Sequence, residues 1–188
     1  MEEAWAAPGS SLVLPARSLL VLCGPAGAGK STFARNLVNA HRDQGLSDTM
    51  IVSSDYCRAL VCDDETNQLV SRDAFDLFHY IIHKRMLNGR FTIADSTALH
   101  AEARRRILGL VRQHNYYACI LVFNPSPERI ARQDQARERI VGEQVITYHA
   151  DLLTQALQAI PSEGWNEAYM LNDQHLDAYI GIRLQQKA

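Results

Sequence analysis

Short apolar runs alternate with longer amphipathic stretches along this 188-residue chain. The runs at 18–23, 50–53, 91–95 and 117–123, and a weaker one at 168–171, predict strands. Helical spacing fills the intervals at 31–42, 72–88, 101–114, 127–137, 142–160 and 173–184. In the second of these, Phe75, Phe78, Ile82 and Met86 recur as one buried helix face, and Asn88-Gly89 supplies a C-terminal stop. Strands alternating with helices imply an α/β protein with a parallel β-sheet flanked by helices on both faces. Neither an internal repeat nor a low-complexity tract nor an interdomain linker interrupts the pattern. Residues 1–16, with Pro8, Gly9, Ser10, Ser11 and Pro15, read as an irregular N-terminal lead-in, which leaves 17–188 as one domain.

Composition narrows the class. A hydrophobic content of 47% suits a globular core. No apolar stretch approaches the ~18 residues that span a bilayer, so no membrane association is expected. The acidic start, Met1-Glu2-Glu3-Ala4-Trp5, lacks the basic region of a secretion signal. Cys23, Cys57, Cys62 and Cys119 form no C-x-x-C pair and are too sparse for a disulfide scaffold, and a cytoplasmic location follows. Cys23 and Cys119 sit in apolar runs and read as small core residues. A net charge of −2 argues against broad wrapping of nucleic acid, although a local basic groove remains compatible with it.

Ligands of open parallel α/β sheets bind at the carboxyl ends of the strands. The first strand ends in Gly24-Pro25-Ala26-Gly27-Ala28-Gly29-Lys30-Ser31, which matches the phosphate-binding pattern G-x-x-x-x-G-K-[ST] in full. Its glycines let successive N–H groups turn inward on a polyphosphate, and Thr32 opens the helix whose dipole favours the anion. Lys30 is expected at the β- and γ-phosphates and Ser31 on Mg²⁺, with ATP or another NTP as the phosphate donor. The fold class is thereby a P-loop NTPase.

The other strand ends supply the rest of the candidate chemistry. Asp55 follows the second strand. A carboxylate there either accepts the proton of an attacking hydroxyl, or Ser54 or Asp55 caps a helix. If a helical turn begins there, Arg58 shares its face. Asp95 ends the third strand, where it either holds Mg²⁺ through water or caps the following turn. Beyond Asn124-Pro125 lie Arg129, Arg132, Arg137 and Arg139, an arginine-bearing lid at about 126–142 whose guanidinium forks suit phosphate oxygens. Some of these must instead form a solvated face. Arg104-Arg105-Arg106 point in different directions on a helix and read as solvated. His79, His83 and His100 lack metal-site spacing and read as helix-surface or core residues.

Three segments resemble the kinase module of bacterial polynucleotide kinase–phosphatase RNA-repair proteins. They are 24–34, the stretch Val52-Ser53-Ser54-Asp55-Tyr56-Cys57-Arg58 continued to Glu65, and 74–97 from Ala74-Phe75-Asp76 to Asp95-Ser96-Thr97. The likeness extends through Val122-Phe123-Asn124 and Glu143-Gln144-Val145-Ile146. It implies transfer of the NTP γ-phosphate to the 5′-OH of a DNA or RNA end. Asp55 would be the general base and Arg58 would contact the phosphate of the acceptor's terminal nucleotide. Arg132 and Arg139 would be lid arginines, with Arg137 able to replace either. Ala98 departs from the Asn usual after the third strand. No D-x-D-G-T phosphatase motif or K-x-D-G ligase motif is present, so a complete chain would be a stand-alone kinase that leaves those activities to RNA-repair partner proteins. Two rival readings stand: a sugar, nucleoside or antibiotic kinase, which the acidic balance favours, and a low-turnover nucleotide-binding regulatory subunit.

Overall fold

A computed structural model of the chain describes residues 11–135, 143–178 and 180–185. Five parallel strands form the central sheet: β2 (Ser18–Cys23), β3 (Ile51–Ser53), β4 (Thr92–Asp95), β5 (Tyr117–Phe123) and β6 (Glu167–Leu171). Their spatial order is β3-β4-β2-β5-β6. The first strand of the phosphate-loop unit is therefore central, paired with β4 on one side and β5 on the other. All residues of β2 and β4 are buried, as expected of strands covered on both faces.

The period of two along each strand divides the core between the two faces. Leu19, Val21 and Cys23 of β2, with Ala118, Ile120 and Val122 of β5, face one layer. That layer comprises α3 (Ser71–Leu87), α4 (Ala101–His114) and α6 (Glu143–Ala159), which contribute Phe78, Ile82, Met86, Ile107, Leu108 and Leu153. Leu20 and Leu22, with Cys119, Leu121 and Phe123, face α1 (Lys30–Ala40) through Ala34, Leu37 and Val38. Each such fully buried large side chain contributes about 1.5–3 kcal/mol relative to exposure. Phe75, assigned to the buried stripe of α3 from its spacing, is only partly buried; Ala74 takes the interior position.

Two assignments from the sequence are corrected. Residues 11–15, read as part of an irregular lead-in, form strand β1 (Ser11–Pro15), which pairs in parallel with β7 (Gly181–Gln185). Accordingly the helix expected over 173–184 is confined to α7 (Asp173–Asp177) and gives way to that strand. Leu12 and Leu14 alternate inward with exposed neighbours, a period-two signal carried by too few residues to stand out beside Pro8 and Pro15. The strand pair is anchored by His41 just beyond α1. Its buried ring bonds Leu37 O through Nδ1 at 2.8 Å, and Nε2 accepts the Ile182 N–H at 3.2 Å. Among the described residues no helix is long and apolar enough to cross a membrane.

Candidate active site

The phosphate loop is held at both ends by groups outside it. Gly24 N–H donates to Thr97 O at 2.9 Å, which joins the loop to the segment after β4. Gly24 has φ +153°, and a Cβ placed there would lie 2.8 Å from Cβ of Phe123. Only glycine fits. Gly29, at φ +86°, opens α1. Lys30 is buried and folds back across the loop, donating from Nζ to Gly24 O at 2.9 Å and Pro25 O at 2.7 Å. Those carbonyls keep its charge poised over the cradle.

Asp95 lies beside the start of α1, where it receives a hydrogen bond from Ser31. Burial raises its pKa, and the nearby Asp55 raises it further, while Ser31, Lys30 and Arg35 pull it down. Burial thus disfavours the ionised carboxylate, and Ser31 and Lys30 only partly offset that cost. Two hard oxygen groups, the Ser31 hydroxyl and the Asp95 carboxylate, meet at the loop, and this donor set suits Mg²⁺. A raised carboxylate pKa means that folding stability contributed by this group increases as pH falls toward it. Asp95→Asn removes the penalty at neutral pH and keeps an acceptor for Ser31. The expected outcome is a higher Tm together with a loss of Mg²⁺-dependent nucleotide turnover, checked by thermal unfolding at pH 7 and by a turnover assay.

Helix α2 (Ser54–Cys62) starts directly at the end of β3. Its cap is Ser53, whose Oγ accepts the Tyr56 N–H at 3.3 Å, so neither Ser54 nor Asp55 is needed for that task. Asp55 occupies the first turn with its side chain 65% exposed. Arg58, one turn on, is only 5% exposed and donates from Nη1 to Asp55 Oδ1 at 2.7 Å and to Glu65 O at 2.8 Å. Its Nε is buried without a hydrogen-bond partner. Arg58 and Asp55 do share a face, as the spacing predicts. Arg58 is buried beside Asp55 and bonded to its carboxylate.

On the other side of the loop, α1, α5 (Pro127–Gln135) and the α7 region enclose a cleft of about 510 Å³. Gly29, Thr32, Phe33, Arg129, Gln133 and Asp177 are among its lining residues. Arg129 donates to Asp177 Oδ1 at 2.6 Å, yet its Nε and the Gln133 Oε1 are buried without partners among the described residues. Unpaired buried polar atoms beside a phosphate loop are suited to a ligand edge. Arg132 is exposed near the end of α5, while Arg137 and Arg139 lie outside the described residues.

Two residues of consequence were not identified as such in the sequence. Arg104, read as solvated, is 1% exposed. It donates to Ala98 O at 3.0 Å and Leu99 O at 2.6 Å, and forms a bidentate pair with Glu163. Its position three and four residues before Ile107 and Leu108, on the buried stripe of α4, is the signal that identifies it. By fixing the Ala98 carbonyl it steadies a residue at φ +46°, unusual for alanine, just after the Thr97 that holds Gly24. The second residue is His149 of α6, whose Nδ1 accepts the Ala26 N–H of the loop at 3.2 Å. No local pattern marks it, because the contact depends on how α6 packs.

Comparisons with known proteins accord with this geometry. The family model described as AAA domain matches residues 19–160. A chain of the Pnkp1/Rnl/Hen1 RNA repair complex superposes with a TM-score of 0.61 at 20% identity, over 77% of this chain and 46% of that one. Kti12 of Chaetomium thermophilum, in complex with ADP-AlF3, gives 0.57 at 17% identity, over 82% and 89%. The Mycobacterium tuberculosis APS kinase CysC, in complex with AMPPNP and APS, gives 0.56 at 13% identity, over 85% and 90%. This chain spans less than half the length of the RNA-repair chain. At these identities the likeness is one of fold. No curated protein matches the chain in sequence.

Proposed function

From a chain that belongs to the AAA domain family and has a P-loop kinase-like fold, we propose a polynucleotide 5′-hydroxyl kinase that uses ATP or another NTP. The observation that carries the phosphotransfer reading is Asp55: an exposed carboxylate at the end of β3, close enough to Asp95 at the loop to influence its ionisation. A passive nucleotide binder has no need of it.

In the proposed reaction the loop N–H groups and Lys30 hold the donor's β- and γ-phosphates, with the donor base in the cleft beside Phe33 and Gln133. Ser31 and Asp95 would hold Mg²⁺, which neutralises phosphate charge when bound. Asp55 orients the acceptor hydroxyl in line and takes its proton as the new O–P bond forms. The bond from the γ-phosphorus to the bridging oxygen breaks, and NDP leaves. Arg58 holds the Asp55 carboxylate in position. The chain from β1 onward would act as one kinase domain, and the lid at about 126–142, with Arg132, Arg137 or Arg139, would clamp the transferring group. RNA-repair partners with phosphatase or ligase activity would complete end processing.

A polynucleotide acceptor is supported by the resemblance around Ser53-Ser54-Asp55-Tyr56-Cys57-Arg58 and by the RNA-repair likeness in fold. A small-molecule acceptor is the second reading, favoured by the burial of Arg58, which the polynucleotide reading would aim at an acceptor phosphate. The deciding experiment gives the protein γ-labelled ATP, Mg²⁺ and either a short 5′-OH oligonucleotide or a panel of sugars and nucleosides. Label on the 5′ end of DNA or RNA supports the first reading, and label only on metabolites supports the second. Nucleotide binding without transfer to any acceptor removes both.

A further inference from the structure

The Ala26 N–H belongs to the anion cradle, but here its acceptor is a side chain from a distant element, His149 of α6. A neutral acceptor on that N–H must yield when a phosphate oxygen takes the bond. The imidazole is then left next to the arriving anion. We propose that His149 contacts the terminal phosphate of the bound nucleotide, changing from acceptor of the Ala26 N–H to donor toward the phosphate. This rests on the loop binding a nucleoside triphosphate and makes no use of the acceptor's identity.

The surroundings favour such a change. Without a ligand, burial and the charges of Lys30 and His100 hold the His149 ring below the usual histidine range, which suits the neutral acceptor form. The ring of Tyr148 lies 6.0 Å from that of His149 and 6.3 Å from that of His100, so the three rings form one cluster, of which His149 touches the loop. The groups that act on or lie near His149 are Lys30 from α1, His100 at the start of α4 and Tyr148 from α6. A phosphate dianion entering among them reverses the local field. It favours a doubly protonated imidazole, which donates from both ring nitrogens. Lys30 serves the β- and γ-phosphates in loops of this pattern, and the imidazole rests on the Ala26 N–H of the same loop, within reach of an anion held there.

The test uses the whole chain with Mg²⁺ and no acceptor, so that a wrong acceptor assignment leaves it unaffected. Affinities for ADP and for ADP with aluminium fluoride, a mimic of the transferring phosphoryl group, are measured by calorimetry for the wild type, His149→Ala and His149→Gln. Loss of a hydrogen bond to a charged group predicts that His149→Ala binds the fluoride complex about 10–100-fold more weakly, with ADP affinity changed by less than about threefold. The intact ADP affinity shows that the variant is folded. His149→Gln, which still donates through its amide, is expected to lie between the two. In the wild type, nitrogen-15 imidazole spectra should show a ring that becomes protonated on adding ADP and aluminium fluoride at pH 7.5. Equal losses for both ligands, unchanged affinities, or a ring that stays neutral in the complex would overturn the proposal. Failure of the wild type to bind ADP at all would instead refute the nucleotide reading beneath it.

Discussion

Asp55→Ala is expected to lower phosphoryl transfer by about 10²–10⁴-fold, the range typical of a positioned general base, while ADP affinity stays within about threefold. The split follows from geometry. In the proposed reaction the donor would be held by the loop N–H groups and Lys30, whereas Asp55, on α2, would act only on the acceptor hydroxyl. One complication is structural: alanine leaves Arg58 buried with its Asp55 bond gone and its Nε already unpaired. Asp55→Asn addresses this, because the amide oxygen still accepts from Arg58 but the group no longer takes a proton. Both variants should lose transfer, and the asparagine form should keep a near-native Tm. Lys30→Ala supplies the contrast, since it removes the charge over the cradle and should weaken nucleotide binding along with turnover. Steady-state transfer and ADP titration on the three variants test the argument; full activity in Asp55→Asn would remove the proposed mechanism.

The largest expected effect on stability is at Arg104. Arg104→Leu leaves Glu163 facing a buried space without its cation, and removes the guanidinium bonds to the Ala98 and Leu99 carbonyls. Breaking a buried pair from one side costs about 3–5 kcal/mol. For a chain of this size that corresponds to a fall in Tm of about 10 °C. The pH dependence weakens as well. In the wild type, burial opposes ionisation of Glu163, but the hydrogen bonds from Arg104 and Trp165 outweigh it and hold its pKa low. That stability is present above the unfolded carboxylate pKa and is lost as pH falls through the lower folded value. Without Arg104 only Trp165 and Arg105 still oppose burial, so the loss of stability on acidification should be smaller in the variant than in the wild type. Adding Glu163→Gln should recover only part of the loss, because both carbonyls still lack the guanidinium and only Ala98 O keeps a weak thiol donor from Cys23. Denaturant unfolding from pH 4 to 8 distinguishes these outcomes, and a change below about 1 kcal/mol in Arg104→Leu would show that the pair is dispensable.

Arg104 and His149 illustrate different limits of the sequence. The burial of Arg104 was legible in principle from its register with Ile107, Leu108 and Val111. The run of three arginines obscured it, because a charge on an apolar stripe is read as solvated until a buried partner is known. That partner, Glu163, is 59 residues away. The His149 contact spans 123 residues and leaves no periodic trace. Similarly, β1 pairs with the far end of the chain, and neither strand has enough alternation to declare itself. By contrast, β2 and β5 were placed without error, since a fully buried parallel strand is a continuous apolar run between polar boundaries.

What the sequence determined alone was the α/β alternation, the phosphate loop and the placing of Asp55 and Asp95 at strand ends. Those features follow from local rules: hydrophobic period, glycine freedom and the direction of a parallel strand. The tertiary structure decided the pairing of the first and last strands. It also decided the burial of Arg58 under Asp55, the clamp of Arg104 on the segment after β4 and the histidine resting on the loop. Each of these joins groups whose cost of desolvation is met only by a partner that the chain's path brings near, and no spacing along the sequence records such a meeting.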